Sequence, residues 1–123
     1  MNSQLGSTPS AARLDVARGV GMMGSETALR KILVTVVISM AADLPTIDTA
    51  LQTGDVATAN RLLHAIKGYM PIFGSNALIE QVAAVEKLSK TEPAAVVQVT
   101  YQQLGPELHG LLAEIELFLN SGQ

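Results

Sequence analysis

The stretch LRKILVTVVISMAADLPTIDTAL, residues 29–51, decides the fold class of this chain. Its apolar residues recur at steps of three and four, which is the spacing of one face of an α-helix. They are Leu29, Ile32, Leu33, Val36, Val37, Met40, Leu44, Ile47 and Leu51. Ser25 precedes the stripe as a good N-cap, with Glu26 at the positive end of the helix, and Gly54 follows it. The spacing therefore predicts one long amphipathic helix.

Two features of this stretch oppose a regular helix. Residues 33–38 are rich in β-branched side chains, which favour strands. Pro45 removes a backbone hydrogen bond, so a kink is expected over residues 41–45. The stripe keeps its register across the proline, which favours one bent helix. Val34 and Ile38 lie off the stripe, and a short N-terminal helix is expected to cover them.

Four further segments show helical spacing between turn signals. They are predicted at about residues 12–20, 55–70, 75–90 and 93–119. Pro71 is expected to end the second of these segments, and Gly105 with Pro106 to bend the last. The loops between neighbours are short, which favours antiparallel packing. The predicted fold class is all-α, an antiparallel up-down four-helix bundle with a short N-terminal capping helix.

The length of the chain fits a single domain, expected over residues 11–120. Residues 1–10, MNSQLGSTPS, are polar and lack a basic region followed by an apolar run, so they do not resemble a signal peptide. They are expected to be a flexible lead or an expression remnant.

The amino-acid composition excludes several classes of function and of structural site. Hydrophobic residues make up 48% of the chain and aromatic residues only 3%, so the core is expected to be aliphatic. The net charge is −3 and no cluster of Lys and Arg stands out, which argues against a nucleic-acid partner. The absence of cysteine excludes disulfides and thiolate metal sites, and it fits a reducing cytoplasm. No uninterrupted apolar run approaches the roughly 20 residues of a membrane span.

His64 lies on the outer face of the predicted helix over residues 55–70. With His64 at zero and an advance of about 100° per residue, the apolar residues of this helix fall between about 160° and 260°. They are Ala59, Leu62, Leu63, Ile66 and Met70. The face around His64 instead carries Ala57, Asn60, Arg61, Lys67, Gly68 and Pro71. We therefore expect one buried stripe, with His64 exposed on the opposite side.

This outer face has the composition of a nucleophilic site. An exposed neutral imidazole is a competent nucleophile at the pH of cells. Lys67 supplies a cation for phosphoryl oxygens, and Gly68 removes side-chain bulk where a partner approaches. A lone exposed histidine on a helix is more often only a solvated residue, so the spacing alone leaves both interpretations open. No P-loop, kinase signature or cluster of metal-binding carboxylates is present, so the chain is not expected to bind ATP.

Residues 64–74, HAIKGYMPIFG, resemble the signature of histidine-containing phosphotransfer (HPt) domains. That signature is H-x-[LI]-K-G followed by a glycine ten residues after the histidine. The likeness covers most of the chain, about residues 11–118. It includes LDVARGV at 14–20, GMMGSETALRKIL at 21–33, ALQTGD at 50–55 and ALIEQVAAVEKL at 77–88. The segment LDVARGV, residues 14–20, resembles the start of C-terminal modules of hybrid sensor histidine kinases.

The resemblance implies a role for each matched residue of the motif. His64 matches the phosphoacceptor, Lys67 the lysine that assists phosphoryl binding, and Gly68 the glycine that opens the surface. Gly74 matches the glycine that closes the turn into the next helix. Glu86 matches a position from which a polar side chain can hydrogen-bond the imidazole, holding hydrogen on Nδ1 and leaving Nε2 as the nucleophile. The equally weighted alternative for Glu86 is a solvated helix charge.

Three features depart from the family pattern. Tyr69 stands where a small residue is usual, and its ring is expected either to pack beside the bundle or to edge the docking surface. Pro71 is expected to end the histidine helix early and to reshape the surface after the motif. The apolar pair Ile72 and Phe73 is also unusual. The expected partner-binding residues are Ala57, Asn60, Arg61, Tyr69 and Pro71.

Three functions compete at this point. The leading hypothesis is a phosphorelay intermediate that accepts a phosphoryl group on His64 from a receiver aspartate and passes it to another. The second is a substrate domain phosphorylated directly by a chemotaxis-type kinase, which ranks lower because VAAVEKLSK, residues 82–90, has neither a second histidine nor an acidic run. The third is a helical protein-binding adaptor without phosphotransfer. His109 lacks the motif and is expected to be structural or merely solvated.

The resemblance also implies partners and context. Expected partners are response-regulator receiver domains and a sensor histidine kinase, with no nucleic acid and no membrane contact by this domain. No cofactor or metal is expected in this chain, because Mg²⁺ belongs to the partner receiver. The domain is expected to be a cytoplasmic monomeric phosphocarrier rather than an enzyme, either free-standing or at the cytoplasmic end of a membrane-bound sensor kinase.

Overall fold

Five α-helices make up the computed structural model of the chain, which describes residues 12–121. They are α1 (Val16–Met23), α2 (Glu26–Gln52), α3 (Val56–Phe73), α4 (Asn76–Ser89) and α5 (Ala94–Asn120). Helices α2 and α4 each contact both α3 and α5, so four helices close around one core, and α1 packs on α2 and α3. The predicted all-α bundle with an N-terminal capping helix is confirmed. The predicted lead at residues 1–10 lies outside the described residues.

Short connections and side-chain caps define where the helices begin. Residues 53–55, 74–75 and 90–93 join consecutive helices of the bundle, which makes neighbours antiparallel. Helices α1 to α4 each begin after a side chain that accepts a hydrogen bond from the backbone N–H three residues on. These N-caps are Asp15, Ser25, Asp55 and Ser75.

The core is aliphatic, as the composition predicted. Of the apolar stripe on α2, seven members are buried and two, Ile32 and Val37, are partly buried against the core. The buried members are Leu29, Leu33, Val36, Met40, Leu44, Ile47 and Leu51. By length and composition α2 is apolar enough to cross a membrane, but this stripe lies inside the bundle. Burial in the core therefore explains the apolar stripe, which is one part of the apolar character of α2.

The first helix lies four residues later than predicted, at Val16 instead of Ala12. Leu14 forms an antiparallel bridge with Gly74, and the Asp15 side chain caps α1 at the Arg18 N–H. An aspartate is a strong N-cap, so helix formation begins after Asp15.

Helix α1 does not cover Val34 and Ile38, which are 50% and 67% exposed. That prediction was wrong because α1 packs at the first turn of α2. Gly19 of α1 is buried there, and a Cβ on it would lie 2.6 Å from a Leu29 methyl group. The two residues off the stripe therefore remain on the surface.

Pro71 does not end the histidine helix, and α3 continues to Phe73. A proline removes one N–H from a helix, so only one hydrogen bond of this last turn is lost. Gly74 N donates to Met70 O at 2.8 Å, and the Phe73 side chain is fully buried. The Phe73 carbonyl also accepts a 2.7 Å hydrogen bond from Asp15 N. Tertiary contacts therefore hold the last turn in place.

Gly74 is required for a close approach, and we expect Gly74→Ala to destabilise the protein. Its backbone angles are extended, with φ at −81°, so a left-handed conformation is not the reason. A Cβ here would lie 2.8 Å from Met70 Sδ and 2.9 Å from Met70 O, and the carbonyl cannot move freely. We expect urea denaturation to show a loss of about 1–3 kcal/mol in the free energy of unfolding.

Gly21→Ala is the matched control, because a Cβ at Gly21 meets nothing within 4 Å. Its free energy of unfolding should be unchanged or slightly higher. A Gly74→Ala variant as stable as the parent would contradict the close-approach explanation.

Candidate functional site

His64 stands on the exposed side of α3, with 69% of its side chain accessible. The opposite side of the helix is buried, and its members agree with the predicted stripe. They are Ala59, Leu62, Leu63, Ile66 and Met70, followed by Phe73 in the last turn. The helical wheel of the sequence therefore placed His64 correctly.

The exposed face of α3 forms a row of side chains above and below His64. Ala57, Arg61, Gly68 and Pro71 are all exposed, and with His64 they recur at steps of three and four. Because α3 continues past the proline, Pro71 extends this row by one turn instead of ending it. We call this set, Ala57, Arg61, His64, Gly68 and Pro71, the α3 face.

Gly68 has no structural reason to be glycine in this fold. A Cβ at this position meets nothing within 4 Å, and Gly68 is not among the glycines with positive φ. Glycine inside a helix costs about 1 kcal/mol relative to alanine. No close approach within the bundle compensates for that cost.

Glu86 is the buried partner of His64. It lies on α4 and is fully buried, because it shares the core-facing side of the helix with Val82 and Val85. Its Oε2 atom is 3.4 Å from His64 Nδ1 on the neighbouring helix. The alternative that Glu86 is a solvated helix charge is therefore wrong. Its carboxylate contacts the imidazole on the side of the ring that faces the bundle.

Two lysines compensate the charge of this buried carboxylate. Lys67 Nζ lies 3.3 Å from Oε1, and Lys90 Nζ lies 3.6 Å from Oε2. A buried carboxylate without such partners would be strongly unfavourable. Both lysine side chains remain partly exposed, so their charged ends are accessible from the surface that carries His64.

The electrostatic surroundings keep Glu86 ionised. Burial by itself disfavours the charged form, but hydrogen bonds from Lys67 and His64 and the charges of Lys67 and Lys90 outweigh it. The pKa of the Glu86 carboxyl therefore lies below its usual value. An ionised carboxylate can only accept hydrogen bonds, so this contact favours the tautomer with hydrogen on Nδ1 and a lone pair on Nε2.

Asn60 is turned inward against α4. Its Nδ2 atom donates to Ser89 Oγ at 2.8 Å and to Glu86 Oε2 at 3.3 Å. The Ser89 hydroxyl in turn donates to the Glu86 carbonyl at 2.6 Å. The structure thus brings Asn60 into the network that holds Glu86, whereas the sequence had grouped it with partner-binding residues.

Tyr69 lies beside the bundle and not on the α3 face. Its hydroxyl is buried and its ring stacks on Phe73 with centroids 5.9 Å apart. Burial, with a smaller contribution from the charge of Asp43 on α2, raises the pKa of the Tyr69 hydroxyl. Of the two positions that the sequence left open for this ring, the structure shows the packed one.

His109 is exposed on α5, away from the α3 face. It lines a cavity of about 270 Å³ together with residues of α2 and α5, including Asp48 and Tyr101. Among residues 12–121, no group of three or more His, Cys, Asp or Glu side chains could hold a metal ion.

Lys90 and Ser89 also belong to the site, although neither was predicted from the sequence. Lys90 follows Glu86 by four residues, a spacing at which opposite charges pair on a helix, so this signal was present in the sequence. Ser89 carried no such signal, because its contact with Asn60 depends on how α3 and α4 pack.

We expect the ionised Glu86 to make stability sensitive to acid. A folded-state pKa below the usual value of 4.5 gives a contribution that is present above that value. The contribution is lost as the pH falls through the folded-state pKa. Urea denaturation between pH 7 and pH 3 should therefore show a steeper fall in stability for the parent than for Glu86→Gln.

Glu80→Gln is the control, because it removes a carboxylate from the exposed side of the same helix. Its pH dependence should stay close to that of the parent. Identical pH dependence in the parent and in Glu86→Gln would contradict the proposed ionisation.

The family model of the Hpt domain matches residues 31–118, more than two thirds of the chain. No curated protein and no solved structure gives a significant match. Hpt domains are phosphocarrier modules of two-component signalling that interact with receiver domains and histidine kinases. The matched region contains the whole network of His64, Lys67, Glu86 and Lys90. This chain belongs to the Hpt domain family.

Proposed function

We propose that this domain is a phosphorelay intermediate. It accepts a phosphoryl group on His64 from an aspartate of one receiver domain and passes it to an aspartate of another. The observation that carries the proposal is the exposed imidazole of His64 held from its inner side by the buried carboxylate of Glu86. Family membership supports the general phosphotransfer role.

The proposed transfer is a simple displacement at phosphorus. The lone pair of His64 Nε2 attacks the phosphorus, the P–O bond to the receiver aspartate breaks, and the aspartate leaves as a carboxylate. The imidazole keeps its hydrogen on Nδ1 and becomes positively charged. The negative charge of Glu86, 3.4 Å from Nδ1, stabilises that developing positive charge. The reverse sequence delivers the phosphoryl group to the next receiver.

Lys67 is proposed to neutralise the phosphoryl oxygens. It follows His64 by three residues on α3, and its side chain is 41% exposed. Phosphoryl transfer depends mostly on positioning and on charge neutralisation, so one well-placed cation contributes without a deep pocket. The remaining groups, including Mg²⁺, would come from the receiver, and this chain is proposed to act without a cofactor or an ATP site of its own.

The α3 face is proposed to be the docking surface for receivers. From Ala57 to Pro71 it spans 14 residue steps, or about 21 Å of helix at 1.5 Å per residue. Apart from the reacting His64, Arg61 is its only charged member, and the others are small or compact. Such a face lets a partner approach His64 closely on both sides.

The setting of the domain is also a proposal. We propose that it acts in the cytoplasm as a monomer, either as part of a hybrid sensor kinase or as a free-standing shuttle. The burial of the predicted core stripes within a single bundle supports the monomer.

We expect His64→Gln to abolish labelling by phosphorylated receivers. A panel of radiolabelled phospho-receivers is incubated with the parent, with His64→Gln and with His109→Gln. The parent and His109→Gln should acquire an acid-labile label, while His64→Gln should acquire none. Equal labelling of the parent and His64→Gln would show that His64 is not the phosphoacceptor.

Absence of labelling in the parent by any receiver would contradict the relay. A chemotaxis-type kinase in the same panel then distinguishes direct phosphorylation from an adaptor that binds partners without phosphochemistry.

We expect Gly68→Gln to slow transfer without destabilising the fold. The side chain would project outward from the exposed side of α3 without meeting other residues of the bundle, but it would obstruct a docked receiver. A tenfold slower transfer corresponds to about 1.4 kcal/mol of added activation free energy, and we expect at least that increase in rapid-quench kinetics.

Ala113→Gln is the matched control for Gly68→Gln. It places the same side chain on an exposed position of α5, which packs mainly on α2 and α4. Its transfer rate should equal that of the parent. Unchanged transfer by Gly68→Gln would show that the α3 face is not the docking surface.

A further inference from the structure

Lys90 is a positively charged residue of the site, and it has no role in the transfer proposed above. It caps the C-terminal end of α4, and its Nζ atom lies 3.6 Å from Glu86 Oε2. Lys67 contacts the other carboxylate oxygen, Oε1, at 3.3 Å. The two lysines therefore approach Glu86 from different helices and on different atoms.

A phosphoryl group on His64 would compete with Glu86 for Lys67. The phosphoryl oxygens carry close to two negative charges, whereas the carboxylate carries one, and charge-assisted hydrogen bonds to phosphate are strong. When Lys67 turns to the phosphoryl group, Glu86 keeps contacts with Asn60 and His64 on α3. It would then have no ammonium partner from α3, although it is fully buried.

We propose that Lys90 is a positioning residue that keeps Glu86 charged, and so keeps hydrogen on His64 Nδ1, while Lys67 binds the phosphoryl group. The inference rests on the proposed function, since it assigns Lys90 a task in the phosphorylated state. Removing one partner of a buried ion pair is strongly unfavourable, whereas a second cation already in place avoids that state.

Few groups besides Lys90 set the charge of Glu86. The titratable or charged groups that face it from α3 are His64 and Lys67. Helix α5 also packs on α4, but in the described part of the chain it contributes no charged group to this carboxylate. The direction of the Glu86 pKa, below its usual value, agrees with compensation by more than one cation.

Titration in the absence of Lys67 tests this role directly. The Lys67→Met variant imitates the withdrawal of Lys67, and carbon-13 NMR of the Glu86 carboxyl measures its pKa without any phosphoryl donor. We expect Glu86 to stay ionised at neutral pH in Lys67→Met. In Lys67→Met with Lys90→Met, its pKa should rise by about three units or more, far enough to bring protonation of the carboxyl toward neutral pH, because burial then dominates.

Two control variants separate charge from structure. Lys67→Met with Lys87→Met removes an exposed lysine from the same last turn of α4, and Glu86 should titrate as in Lys67→Met. Lys67→Met with Lys90→Arg keeps the cation and should also titrate as in Lys67→Met. Equal Glu86 pKa values in Lys67→Met with and without Lys90→Met would overturn the proposal.

Phosphoryl transfer provides the second measurement. With Lys67 present, Lys90→Met should lower the fraction of phosphoryl group on His64 at equilibrium with a phospho-receiver by about tenfold or more, because the phosphorylated state would leave the buried carboxylate without an ammonium partner. Lys90→Arg should restore it, and Lys87→Met should not change it. Equilibrium labelling of Lys90→Met equal to the parent would overturn the role in the phosphorylated state. No labelling of the parent would instead contradict the proposed function, and the titration alone would then decide whether Lys90 holds the charge of Glu86.

Discussion

The buried carboxylate of Glu86 is the constraint on which the functional side of this bundle depends. It sits on α4 with no access to solvent, so each of its contacts must come from the protein. His64, Lys67 and Asn60 approach it from α3, and Lys90 approaches it from the end of its own helix. The same contacts that satisfy the carboxylate therefore join α3 to α4 and hold the imidazole at the protein surface.

The rest of the fold keeps α3 helical as far as Phe73 and leaves one of its sides exposed. Its apolar stripe fills the core between α2 and α4, while residues 13–15 bind the far end of the helix through the bridge from Leu14 to Gly74. The buried Phe73 holds the turn that contains Pro71. These contacts keep α3 helical through Phe73, so the α3 face continues beyond His64 to Pro71.

Properties that depend on one helix at a time could be predicted from the sequence, and properties that depend on packing between helices could not. Helical spacing was enough to place His64 opposite the buried stripe of α3. The burial of Glu86 and the inward turn of Asn60 depend on the register of α3 against α4, which the sequence leaves open. Pro71 was misjudged because local propensity was outweighed by the tertiary contacts of Phe73, and Val34 and Ile38 because the packing site of α1 was unknown.

The most direct test of the central claim is nitrogen-15 NMR of His64 before and after phosphorylation by a receiver. We expect hydrogen on Nδ1 in the resting protein and, after transfer, a nitrogen–phosphorus coupling on Nε2. Replacing Glu86 with glutamine should weaken the preference for that tautomer, because the amide offers a weaker acceptor than the carboxylate. A phosphoryl group on Nδ1, or a resting imidazole with hydrogen on Nε2, would contradict the role assigned to the buried carboxylate.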